Sequence, residues 1–160
     1  PVVLAHARAL LTSNEAGATE YIDADLRDTQ AILAQAAKLL DFTRPVAVTL
    51  ISVLHAVPDS DDPHAIVARL LDAVPSGSYL VVSHWAADLL GRETRDSLQD
   101  IGSRMVQQSL ALRNREQVAQ FFAGQELVAP GLVRAEEWRP EPGTGDTGRS
   151  SLWCAVGRKR

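Results

Sequence analysis

An α/β fold with a mainly parallel, doubly wound sheet is predicted by three features of this 160-residue sequence. Strand and helix patterns alternate from residue 19 to residue 83. The run PVAVTLISVL at residues 45–54 is apolar at nearly every position, as a strand covered on both faces of a parallel sheet is. Two late strand patterns flank a Gly- and Pro-rich stretch, so one of them lies antiparallel to the rest. With 46% apolar residues the chain can bury one core, and residues 1–160 read as a single domain.

Val3, Leu4, Ala7, Leu10 and Leu11 recur at helical spacing over residues 2–13, and residues 14–17 form a turn. Residues 19–24 read as a short strand centred on Tyr21 and Ile22. Asp28 caps a helix whose apolar face is Ile32, Leu33, Ala36, Leu39 and Leu40. After the 45–54 strand and an acidic loop, Asp62-Pro63 supplies an N-cap and a proline at the first helical position. That helix carries Ile66, Val67, Leu70, Leu71 and Val74, and Pro75-Ser76-Gly77 turns the chain into a strand at 78–83. Residues 86–112 are polar and weakly periodic, a variable helical insertion on the surface. Asn114 and Gln117 make a capping box for a helix that ends at Gly124, with Val118, Phe121 and Phe122 turned inward. A turn at Pro130-Gly131 leads to a further strand, residues 139–150 (RPEPGTGDTGRS) form a mobile hairpin loop, and residues 152–157 close the chain as a strand.

Composition narrows the function. A net charge of −4 and a pI near 5.5 give no footprint for a phosphate backbone, so no nucleic-acid partner is predicted. No apolar run approaches the roughly 20 residues needed to cross a bilayer, so no membrane partner is predicted either. Cys154 is the single cysteine, read as an inert core thiol. There is no charged, apolar leader at Pro1, and the expected location is cytoplasmic. Pro1 opens directly into a helical pattern with no capping residue before it, which reads as a piece of a longer chain. G-x-S-x-G and G-x-x-x-x-G-K-[ST] motifs are both absent from the sequence.

Ligands of an open parallel sheet bind outside the carboxyl ends of its strands, which selects residues 23–28, 52–59 and 83–85. Asp25 suits an adenine amino group, with Leu26 packing on the ring. Its rival role is to cap the following helix, and residue type does not separate the two. Asp28 is assigned to the cap. His55 directly follows a buried strand and suits proton acceptance near neutrality, as a catalytic base or a cofactor contact; alternatively it pins its own loop. Ser52 and its neighbour Val53 lie at the same strand end. His84 and Trp85 line a substrate pocket or fill the core and rim. His55, Asp59, Asp61, Asp62 and His64 form a loose set of oxygen and imidazole groups, but Asp62 serves better as the helix cap, and no metal is predicted.

The stretches PVVLAHARALLTS, YIDADLRD, LLDFTRPVAVTLISVLHAVPD, IVARLLDAVPSGSYLVVSH and FFAGQELVAPGLVRAEEWRP together resemble the bacterial S-adenosyl methyltransferase family, once catalogued as a domain of unknown function. The resemblance implies a Rossmann-like class I sheet of seven strands in the order 3-2-1-4-5-7-6. It also implies that this chain begins after the second of them. The family's acidic ribose grip and glycine-rich loop then have no counterpart here. Carried over are Asp25 and Leu26 at the adenine, and Ser52, Val53 and His55 at the lip of the fourth strand. The cofactor implied is S-adenosylmethionine, and the partner is a small-molecule methyl acceptor set by residues 86–112 and the loops. The sequence says nothing of oligomeric state.

Two consequences follow from this resemblance. A sheet without its first two strands exposes the edge of PVAVTLISV, so the chain by itself is expected to be unstable or to re-pair its strands, and to be inactive. The rival functions are a non-catalytic, cofactor-sensing protein on the same fold and a nicotinamide-dependent oxidoreductase. The second is weakened by the lack of a Tyr-x-x-x-Lys pair.

Overall fold

The computed structural model describes residues 2–10, 13, 17–106, 110–142 and 150–160. Leu11, the turn residues 14–16 and most of the 139–150 loop therefore lie outside the described residues, as does Pro1. Helix α1 spans Val2–Leu10. Helix α2, Thr29–Ala36, begins where Asp28 accepts a hydrogen bond from the Ala31 N–H at 3.0 Å. It stops before Leu39 and Leu40, which are 45% and 43% exposed rather than part of an apolar helical face.

Strand β1 (Ala47–Ile51) lies parallel to β2 (Tyr79–Trp85), with Ala47 opposite Tyr79 and Ile51 opposite Ser83. The crossover between them carries α3, Pro63–Asp72. Asp62 caps α3 by accepting from the Ala65 N–H at 3.0 Å, and Pro63 stands at its first position, where a missing N–H costs nothing. Its buried stripe, Ile66, Val67 and Leu70, packs on Leu50, Leu80 and Val82 of the sheet. Beyond β2 come α4 (Arg92–Val106), α5 (Arg115–Gln120), β3 (Glu126–Leu127), β4 (Val133–Arg134) and β5 (Leu152–Arg158). The Asn114–Gln117 capping box is formed in both directions, and Gly124 follows at φ +78°, with Val118, Phe121 and Phe122 buried. Strand β5 runs antiparallel to β2 from Leu152–Trp85 to Arg158–Tyr79, and both β3 and β4 pair with its other side.

The resulting order, β1-β2-β5-β3, matches the 4-5-7-6 half of the order that the resemblance implies, with antiparallel strands at the end of the chain. Two expectations are corrected. Residues 19–24 form no strand, because no strand lies beside them among the described residues to take their backbone groups. The 45–54 run is not a strand covered on both faces. The strand is limited to Ala47–Ile51, it ends the sheet, and of its residues Leu50 alone is buried while Ile51 is 57% exposed. Its last residues leave the ladder at Ser52, whose φ of +47° re-aims the chain, and Leu54–Ala56 closes into a 3-10 turn.

Candidate functional site

The carboxyl ends of β1 and β2 lie side by side. Ser52 donates its N–H to both the carbonyl (3.1 Å) and the Oγ (3.0 Å) of Ser83, and the two hydroxyls are 3.2 Å apart. The Ser52 hydroxyl is thus committed to joining the strand ends. Val53 packs, half-buried, against the core. The next residues carry His55 across the end of the sheet, where its ring stands 5.5 Å from that of Trp85 and edge-on to that of His84 at 6.2 Å. Three residues singled out in the sequence are thereby brought together.

They differ in environment. His55 is half-buried and its Nδ1 has no hydrogen-bond partner. Burial, helped by the positive charge of Arg113, holds its pKa below the ordinary value, so the ring is a neutral base with a lone pair or N–H to offer. His84, expected after its strand, instead lies within β2 and is 0% exposed. Arg113 Nη1 donates to its Nε2 at 2.9 Å; a guanidinium cannot accept, so Nε2 holds the lone pair. The proton of the neutral ring is then on Nδ1, which donates to the Trp85 carbonyl at 2.9 Å. Burial pushes the His84 pKa down to about 4; Arg113 and His55 add to this, against the opposing Trp85 carbonyl and Asp59. His84 is a fixed neutral support behind the other two rings.

The turn at residues 25–28 is linked to this region through the loop that follows β1. Asp25 accepts from the Arg27 N–H at 2.9 Å and from Arg27 Nη1 at 2.8 Å, and its side chain is 57% exposed. The Arg27 N–H foremost, with the guanidinium, keeps the Asp25 carboxyl below its ordinary pKa, so it is ionised. A carboxylate has about four lone-pair sites, so it can accept further donors. Arg27 Nε also donates to Asp61 at 2.6 Å, which ties this turn to the loop that follows β1. Leu26 packs half-buried against the core. Asp28 remains committed to capping α2.

Arg113 and Arg27 were not singled out in the sequence. Among the described residues no group of three or more His, Cys, Asp or Glu side chains is arranged to hold a metal, and no helix is long and apolar enough to cross a membrane. A groove of about 220 Å³ lies on the sheet between Ile51, Val81, Trp138 and Val156, with Cys154 in its wall. Burial, with Glu136 and Glu137 behind it, pushes the Cys154 thiol pKa up, which keeps the thiol protonated and unreactive.

A family model described as S-adenosyl methyltransferase matches residues 1–160. Among solved structures, a DUF574-family protein from Streptomyces avermitilis is 38% identical over all of this chain and 62% of its own length, with a TM-score of 0.92. A candidate methyltransferase from Thermobifida fusca is 30% identical over all of this chain and 60% of its own, with a TM-score of 0.85. The chain thus spans about three fifths of the length of these relatives. Human N-acetylserotonin methyltransferase, solved in complex with S-adenosylmethionine, is 13% identical over 99% of this chain and 38% of its own; its TM-score of 0.57 shows a shared fold. No curated protein matches the sequence.

Proposed function

The chain belongs to the S-adenosyl methyltransferase family, and from that premise we propose that the full-length, cytoplasmic protein moves a methyl group from S-adenosylmethionine to an O, N or C nucleophile of a small molecule. The observation that carries this reading is the pairing of the His55 ring with Trp85 at the carboxyl ends of β1 and β2, with the Asp25–Arg27 turn tied through Asp61 to the loop that follows β1. Two polar groups there suit such a ligand: the outward Asp25 carboxylate and the half-buried His55 imidazole, whose buried Nδ1 has no hydrogen-bond partner.

When bound, the cofactor supplies a methyl group already activated on a sulfonium, so the protein's task is chiefly alignment. Asp25 accepts the adenine amino hydrogens while Leu26 packs on the ring. Ser52 and Val53 form the lip of the pocket. His55 takes the proton of the nucleophile, Trp85 lines the acceptor side, and His84 supports both from within the core. The choice of acceptor falls to residues 86–112, which include α4.

Asp25→Asn keeps the capacity to accept from the Arg27 N–H but loses the charge, and is expected to weaken S-adenosylhomocysteine binding about tenfold in calorimetry. His55→Ala is expected to lower kcat by about a hundredfold and to weaken S-adenosylhomocysteine binding about tenfold. Full turnover in His55→Ala would remove the ring from the mechanism. A site that binds S-adenosylhomocysteine but turns over no acceptor would instead mark a cofactor sensor.

A further inference from the structure

Arg113 is 2% exposed, although an arginine is almost never fully buried unless every donor is used. Its guanidinium spreads over four partners. Nη1 donates to the Leu54 carbonyl at 3.0 Å and to His84 Nε2 at 2.9 Å. Nη2 donates to the Val57 carbonyl at 2.9 Å and to Asp59 at 2.6 Å, and Nε reaches the same Asp59 oxygen at 3.2 Å. Two residues earlier, the Ala111 N–H donates to the carbonyl of His55 itself at 2.8 Å. The carbonyls of Leu54, His55 and Val57 are therefore all held from residues 111–113.

The turn is already closed by its own bonds, Ala56 N–H to the Val53 carbonyl and Val57 N–H to the Leu54 carbonyl. Drawing a charge into the interior carries a desolvation penalty, and closing a short turn does not require it. What the guanidinium adds is a rigid fork that sets the main chain on both sides of His55 against the end of β2. We propose that Arg113 is a positioning residue for the ligand site, which fixes the His55 turn so that its imidazole is aimed at the bound ligand. This rests on the methyltransferase reading of that site.

Among the described residues, the charged and titratable groups facing His55 are Arg113 from the 110–113 segment, itself paired to Asp59, and His84 from β2. Arg113 contributes both geometry and charge, and two variants separate them. In Arg113→Lys the charge remains, but a single ammonium with three donors cannot replace a fork that spans four partners. In Arg113→Gln the charge is removed as well.

The test is an NMR titration of the His55 imidazole in the full-length protein, without ligand and with S-adenosylhomocysteine. Arg113→Lys is expected to bind S-adenosylhomocysteine about tenfold more weakly, with faster exchange of the Ala56 and Val57 amides and a near-native His55 titration. Arg113→Gln is expected to raise the His55 midpoint. Should Arg113→Gln fail to fold, Asp59→Asn serves beside Arg113→Lys, since the Asp59 side chain is 74% exposed and its loss loosens the same anchor. It is expected to weaken binding in the same direction by a smaller factor. Native amide exchange, titration and affinity in the folded variants would overturn the proposal. If S-adenosylhomocysteine leaves the wild-type His55 resonance unmoved, the ligand reading of the site fails; the ligand-free titrations and exchange rates still decide whether Arg113 sets the turn.

Discussion

At pH 5 the protein is expected to be about 2 kcal/mol less stable than at pH 7 on account of His84 alone. The ring is 0% exposed, and its pKa lies at about 4 against an ordinary 6.5. Between those values the unfolded chain takes up a proton that the folded one refuses, so the stability present above pH 6.5 drains away as the pH falls. The loss reaches about 3 kcal/mol once the pH has passed through 4 and then levels off. Below that point His84 is charged beside the Arg113 guanidinium, which can no longer donate to Nε2. Urea unfolding at the two pH values, for the wild type and for His84→Gln, isolates this contribution. Glutamine keeps an acceptor for Arg113 and a donor for the Trp85 carbonyl but does not titrate. An equal loss in both proteins would mean that His84 is not the acid-sensitive group.

Leu54→Ala is expected to cost about 3 kcal/mol and to disturb the site as well. Leu54 is 0% exposed within the core, yet it is also the first residue of the turn that carries His55. Removing its side chain leaves a cavity under that turn, while its carbonyl still anchors Arg113. The turn has no regular ladder to resist collapse into the space. Denaturant midpoints are expected to fall with an unchanged m-value, and S-adenosylhomocysteine affinity is expected to fall more than in an equally destabilising change such as Leu80→Ala in β2. Equal affinity in the two variants would show that packing under the turn does not set the site.

Much of this was legible from local chemistry. Asp28, Asp62-Pro63 and the Asn114–Gln117 box mark their helices because a cap is settled within three residues of itself. The closing strand and its antiparallel sense followed from the late hairpin pattern, and the sheet order from the family resemblance. The failures are non-local. Residues 19–24 have strand-like composition, but a strand exists through its neighbour, and none lies beside them among the described residues. Apolar content likewise made β1 look enclosed, although it ends the sheet.

At the site, His55, His84 and Trp85 could be placed near one another because they lie at the ends of adjacent strands. Arg113 could not. Its partners lie 29 to 59 residues away, and the one hint is an arginine directly after the apolar trio Leu110-Ala111-Leu112. The difference between His55 and His84 comes first from burial, with Arg113 beside both rings and hydrogen-bonded to His84. Position along a strand shows which histidine is near the pocket; burial and a charged neighbour decide what each can do there.

The most direct test of the account is a calorimetric titration of the full-length protein with S-adenosylhomocysteine and, separately, with NADH. Saturable binding of S-adenosylhomocysteine that weakens about tenfold in Asp25→Asn, with no response to NADH, is the predicted result. Binding of NADH instead, or S-adenosylhomocysteine binding indifferent to Asp25, would contradict it.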